Sequence, residues 1–129
     1  GTTPNGIFSY CANFDEHIID RPGQGVITLN LNFPSGIDDS GEPFFGRRVH
    51  AYLPRTLDGL LLLQIMLVAF RRRVLFNMGP SMRAGHRNQP CYVLHFKTRL
   101  DGGQQRHGFP DDNYFERALS TLHSVGVVL

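Results

Sequence analysis

Val26-Ile27-Thr28-Leu29-Asn30-Leu31-Asn32-Phe33 is the stretch that decides the fold. Ile27, Leu29, Leu31 and Phe33 fall on one face and Thr28, Asn30 and Asn32 on the other. A period of two is the signature of a β-strand with one buried side and one wet or functional side. Pro34-Ser35-Gly36 ends it. Upstream, Gly6 to Tyr10 reads as a short strand, and the polar stretch Cys11 to Gln24, with its Pro22-Gly23 turn signal, as a loop. Downstream, Asp38 to Gly46 reads as a loop and Val49 to Leu53 as a second strand closed by Pro54.

Helical patterns follow. Thr56 is placed to cap a helix over Leu57 to Arg73. Its middle is apolar nearly all round, so it is expected to be the buried helix, with Arg71, Arg72 and Arg73 complementing the carbonyls of the last turn. Val74 to Phe76 is β-prone, Met82 to Gln89 is a polar loop, and Cys91 to Phe96 reads as a strand. After a Gly102-Gly103 loop, Asp111 or Asp112 is expected to cap a last helix over Asn113 to Ser124, stopped by Gly126. On that helix Phe115, Leu119 and Leu122 form one stripe, and Tyr114, Ala118 and Thr121 a neighbouring face. Strands and helices in mixed order predict an α+β fold: a mixed or antiparallel sheet packed with two principal helices.

The 129 residues suit one domain with a single core, and 41% apolar residues argue against disorder of the whole chain. A formal charge of +2 is too small to argue for nucleic acid on its own. The two cysteines, Cys11 and Cys91, make no disulfide framework, and Cys91 reads as a small buried hydrophobe. With no secretory signal in view, an intracellular setting, cytoplasmic or nuclear, is the expectation. The apolar run Leu60 to Phe70 is broken by Gln64 and falls short of the ~20 residues a bilayer span needs, so no membrane role is expected. The start Gly1-Thr2-Thr3-Pro4 without a methionine suits a segment of a longer protein.

Two histidines carry the chemistry. His95 is expected at the end of a strand, and His107 stands twelve positions later, beyond the glycines, in Arg106-His107-Gly108-Phe109-Pro110-Asp111. That spacing lets the chain fold back and bring both rings to one cavity. A neutral imidazole accepts a proton from a hydroxyl near neutral pH, or bonds a phosphate oxygen. From spacing alone, a backbone-satisfied strand histidine and a turn histidine remain the plainer alternative. No histidine or cysteine spacing suits a metal site, and none is expected. Asn77-Met78-Gly79-Pro80-Ser81 permits close backbone approach to a diphosphate, with Ser81 as a partner, but an ordinary turn explains it equally. It lacks the third glycine and the helix of a dinucleotide fingerprint, which excludes that reading.

In order, these pieces resemble the Deltex C-terminal domain of the RING ubiquitin ligases of that name. The resemblance runs through Pro4-Asn5-Gly6, Phe33-Pro34-Ser35-Gly36-Ile37, Gly41-Glu42-Pro43-Phe44 and Ala51-Tyr52-Leu53-Pro54. It continues with the segment from Ala69 to Phe76 together with Gly79, His95-Phe96-Lys97-Thr98, His107-Gly108-Phe109-Pro110-Asp111 and Asn113-Tyr114. It implies a domain covering residues 1–129 that follows a RING, binds ADP-ribose or NAD as its ligand without a required cofactor, and recruits ADP-ribosylated proteins for ubiquitination. The RING would bring the ubiquitin-charged conjugating enzyme, and the pair would place ubiquitin on a hydroxyl of ADP-ribose, in a family tied to Notch signalling. The family's pocket serine falls on Ser81, its first pocket histidine on His95 and its catalytic histidine on His107, the implied general base; Phe96 and Phe109 are implied walls.

Three positions depart from the family pattern. Phe96 stands for a second histidine and Phe109 for a tyrosine, keeping a ring and losing a polar handle. Thr121, fourteen residues after His107, stands where catalytic members carry a glutamate. The implied segment is therefore a binder before it is a catalyst. Two rivals stand beside it: a non-catalytic protein-interaction module of the same fold, and a metal-independent phosphodiesterase with His95 and His107 as acid and base and Lys97 on the phosphate.

Overall fold

The computed structural model describes residues 5–80 and 88–128. Three strands, β1 (Ile7–Asn13), β2 (Val26–Phe33) and β5 (Arg47–Pro54), form an antiparallel sheet in the order β1-β2-β5. A second, four-stranded sheet runs β3 (Gly36–Ile37), β4 (Pro43–Phe44), β7 (Asn88–Tyr92), β6 (Phe76–Pro80), with β4 and β7 parallel. The helices are α1 (Leu57–Arg71) and α2 (Tyr114–Ser124), which pack on each other and close the core. The α+β class read from the sequence is the class observed.

β2 keeps its expected bounds because its alternation matches what lies on either side. Ile27, Leu29, Leu31 and Phe33 are buried in the main core with Leu62, Met66 and Leu122. Its other face is not uniformly wet. Asn30 is exposed, but Thr28 is buried, and Val26 on the same face belongs to a second cluster with Ile18 and Phe109, against which Tyr52 and Leu100 pack. β1 runs longer than expected, because Cys11, Ala12 and Asn13 pair with Thr28, Ile27 and Val26 instead of forming a loop. The expected loop over 38–46 contains β4 and closes a short hairpin with β3.

Thr56 caps α1, its hydroxyl accepting from the Gly59 N–H at 3.1 Å. The helix ends at Arg71, two residues early: Arg72 is its C-cap and Arg73 takes a left-handed φ of 60°. It is not apolar-buried all round. Leu62, Leu63, Ile65, Met66 and Ala69 face the core, while Leu57 and Leu60 are exposed. On α2 the buried line is Tyr114, Ala118 and Leu122, spaced by four, and Phe115 and Leu119 flank it half-buried. Gly126, at φ 88°, stops the helix as expected.

The expected strand over 91–96 is displaced. β7 ends at Tyr92 because its partner β6 begins at Phe76, opposite Tyr92, and the Val74–Phe76 strand expectation shifts with it. The chain then leaves the sheet: Val93 N–H bonds the Leu75 carbonyl at 2.9 Å, and the Lys97 carbonyl accepts from Tyr52 N–H on the edge of β5 at 2.8 Å. His95 rides on this bridge between the two sheets rather than on a strand. Most of the expected loop over 82–89 lies outside the described residues; Asn88 and Gln89 open β7.

The β5–α1 junction supplies a test. A β-carbon on Gly59 falls 1.9 Å from the Pro54 carbonyl oxygen. Gly59→Ala, ordinarily stabilising in a helix, is expected here to cost about 1–3 kcal/mol through overpacking, read as a fall in the denaturation midpoint.

Candidate functional site

His107 is placed by a tight loop. Gln104–Arg106 form one 3-10 turn, and His107 caps it in the left-handed region at φ 56°. Its carbonyl accepts from Thr98 N–H at 2.9 Å, which draws the loop back onto the bridge carrying His95. Gly108 makes the approach possible: a β-carbon there would lie 1.8 Å from the Asp101 carbonyl oxygen. His95 is held from the other side, where the Tyr114 hydroxyl of α2 donates to its carbonyl at 2.7 Å. Burial pushes the Tyr114 phenol well above its ordinary range, so it stays a donor.

The two imidazoles then stack, centroids 5.4 Å apart at 29°. Both are exposed, and the Tyr92 ring stands edge-on to His95 at 5.6 Å. They border an open groove of about 390 Å³ also lined by Gln104, Arg117 and Thr121. The juxtaposition that their spacing allows, but does not require, is present. Thr121 joins it, lining the groove while its hydroxyl donates to the Arg117 carbonyl of its own helix at 3.0 Å.

Beneath the groove lies a charge cluster that sequence reading missed. Lys97 donates to Asp111 at 2.7 Å with both side chains almost fully buried. Arg117 grips the same carboxylate with both terminal nitrogens. Arg117's hydrogen bonds, then those and the charge of Lys97, hold the Asp111 carboxyl well below the usual carboxylate range against its burial. Asp111 or Asp112 was expected as the helix cap. Instead Asn113 occupies the cap position without a side-chain bond, because Asp111's oxygens are taken by the two cations. The only sequence signal was an acid and two bases, at spacings that no local motif explains.

The remaining expected site residues divide. Phe96 lines the groove but is a core residue, 3% exposed and stacked on Phe76 at 5.9 Å. Phe109 is not with the histidines: it is buried beside Ile18 and Val26 and lines a different cavity, with Pro54 and Leu62. Ser81 lies outside the described residues. Among the described residues no three His, Cys, Asp or Glu side chains converge as a metal site, and no helix is long and apolar enough to cross a membrane.

The model of the Deltex C-terminal domain matches residues 1–127. The chain belongs to the Deltex C-terminal domain family. It is 30% identical to the E3 ubiquitin-protein ligase DTX1 of Xenopus laevis over 99% of its own length and 22% of that protein's. It is 29% identical to the mouse E3 ubiquitin-protein ligase DTX4, over 98% of the chain and 22% of the relative. To the human probable E3 ubiquitin-protein ligase DTX3 it is 33% identical, over 80% of the chain and 31% of the relative. This Deltex C-terminal domain thus spans between a fifth and a third of these relatives.

The buried pair in this Deltex C-terminal domain sets a pH dependence. Asp111's folded pKa lies below its unfolded value of about 3.9. Its stabilisation is therefore complete above that value and is lost as pH falls through it toward the folded pKa. Asp111→Asn is expected to destabilise by about 3–5 kcal/mol at neutral pH, because Lys97 stays buried without a counter-charge. Denaturant titrations across pH should show the variant losing this part of the wild type's decline in acid.

Proposed function

We propose that this domain binds ADP-ribose, free, within NAD or carried on a protein, in the groove between the bridge at His95 and helix α2. The observation that carries the reading is the stacked pair His95 and His107, both exposed at the mouth of one groove. Imidazoles there bond ribose hydroxyls and phosphate oxygens, and an unprotonated His107 accepts a hydroxyl proton. In the whole protein the domain would bring ADP-ribosylated proteins to a ubiquitin-charged conjugating enzyme recruited by an upstream RING, in the cytoplasm or nucleus. Ser81 belongs to the proposed binding set; Phe96 contributes a wall and Phe109 supports the loop from behind.

Binding and transfer separate at Thr121. Transfer onto ADP-ribose asks His107 to take a proton while a carboxylate steadies the imidazolium that forms. None of the described residues lining the groove carries a carboxylate, and the Thr121 hydroxyl is turned to its own helix. The domain is therefore a binder with little or no transfer of its own. Thr121 also favours the second reading, an interaction module that no longer takes a nucleotide. The phosphodiesterase reading loses its phosphate ligand, since Lys97 is buried on Asp111.

Calorimetric titration with ADP-ribose tests the reading. Saturable heat is expected for the wild type and weaker binding for His107→Ala; no heat at high protein concentration leaves the interaction module. Supplied with a Deltex RING and a charged conjugating enzyme, the wild type is expected to give no ubiquitin–ADP-ribose, and Thr121→Glu to give a detectable amount.

A further inference from the structure

We propose that Arg117 is the phosphate-binding residue of the histidine groove. The proposal deepens the ADP-ribose reading and rests on it for the location of the ligand. Arg117 lines the groove beside His95, His107 and Thr121. Two cations share the single carboxylate of Asp111, so one positive charge is left over. It has one outlet. The Lys97 and Asp111 side chains are 4% and 3% exposed, whereas Arg117 is 43% exposed. None of the described residues lining the groove is an acid, and Asp111, which lies outside that lining, is already neutralised by Lys97.

Arg117 is also fixed in place. Its two terminal nitrogens are anchored on Asp111 Oδ1 and Oδ2, which orients the guanidinium plane. A guanidinium has five N–H donors, so this contact leaves others for a second anion. A held fork with uncancelled charge beside two imidazoles has the chemistry of a phosphate site, and planar bidentate donors suit phosphate oxygens. The recognised group is a phosphate ester of a nucleotide. Two sources meet that description: the diphosphate bridge of ADP-ribose, and a phosphate carried on its ribose.

The test is calorimetric titration of the wild type and Arg117→Gln with ADP-ribose and with ADP-ribose 2′-phosphate, at low and high ionic strength. Affinity for a phosphate-bearing ligand is expected to fall about tenfold in Arg117→Gln and to lose most of its salt dependence. Loss with both ligands assigns Arg117 to the diphosphate; loss with the 2′-phosphate alone assigns it to the ribose ester. ADP-ribose binding that neither the substitution nor salt alters, together with an unchanged 2′-phosphate, overturns the proposal and leaves the ADP-ribose reading standing. Inorganic pyrophosphate that binds the wild type but not Arg117→Gln, with no ADP-ribose binding, supports the phosphate site and removes the ADP-ribose reading. Should Arg117→Gln fail to fold, the wild type decides: salt-sensitive binding displaced by pyrophosphate supports the proposal, and salt-insensitive binding that pyrophosphate does not displace overturns it.

Discussion

Asp111 joins three parts of the chain that the sequence keeps apart. Its carboxylate takes Lys97 from the bridge between the sheets and Arg117 from α2, while its own backbone ends the loop that carries His107. A carboxylate this well covered is costly unless both oxygens are bonded, and here they are. The bridge, the loop and the helix are thereby locked into one arrangement. The groove is the space that arrangement leaves, and the relation of the histidines to α2 depends on it.

Around that anchor the rings are set mainly by backbone contacts. Thr98 holds the His107 carbonyl and Tyr114 holds the His95 carbonyl, so each imidazole borders the groove with its backbone, not its ring, taking the support. That separation of support from chemistry suits a binding site, since the ring nitrogens stay available to a ligand. It also explains why a threonine is tolerated at position 121. Its hydroxyl is satisfied by the Arg117 carbonyl, so the site keeps its shape without the carboxylate.

Several features were legible because their causes are local. β2 declares itself by alternation, Thr56 by its cap, and Gly126 by its left-handed stop. The meeting of His95 and His107 was allowed by their spacing and not dictated by it, since two separately satisfied histidines fitted the same loop. Errors gathered where a partner distant in sequence decides. β7 stops at Tyr92 because β6 starts at Phe76, and the outer face of β2 is covered at Val26 because Ile18 and Phe109 pack with it. Asp111 caps nothing because Lys97 claims it, and which of the two neighbouring faces of α2 is buried is decided at Tyr114, whose hydroxyl finds the His95 carbonyl.

By itself, then, the sequence determined the α+β class, the central strand, both helices, and the two histidines on neighbouring segments, because periodicity and capping act over a few residues. Tertiary structure alone decided the depth of the groove, the burial of Phe109 away from it, and the surplus charge at Arg117. Those depend on which side chains meet across long separations, and on how much water is removed when they do.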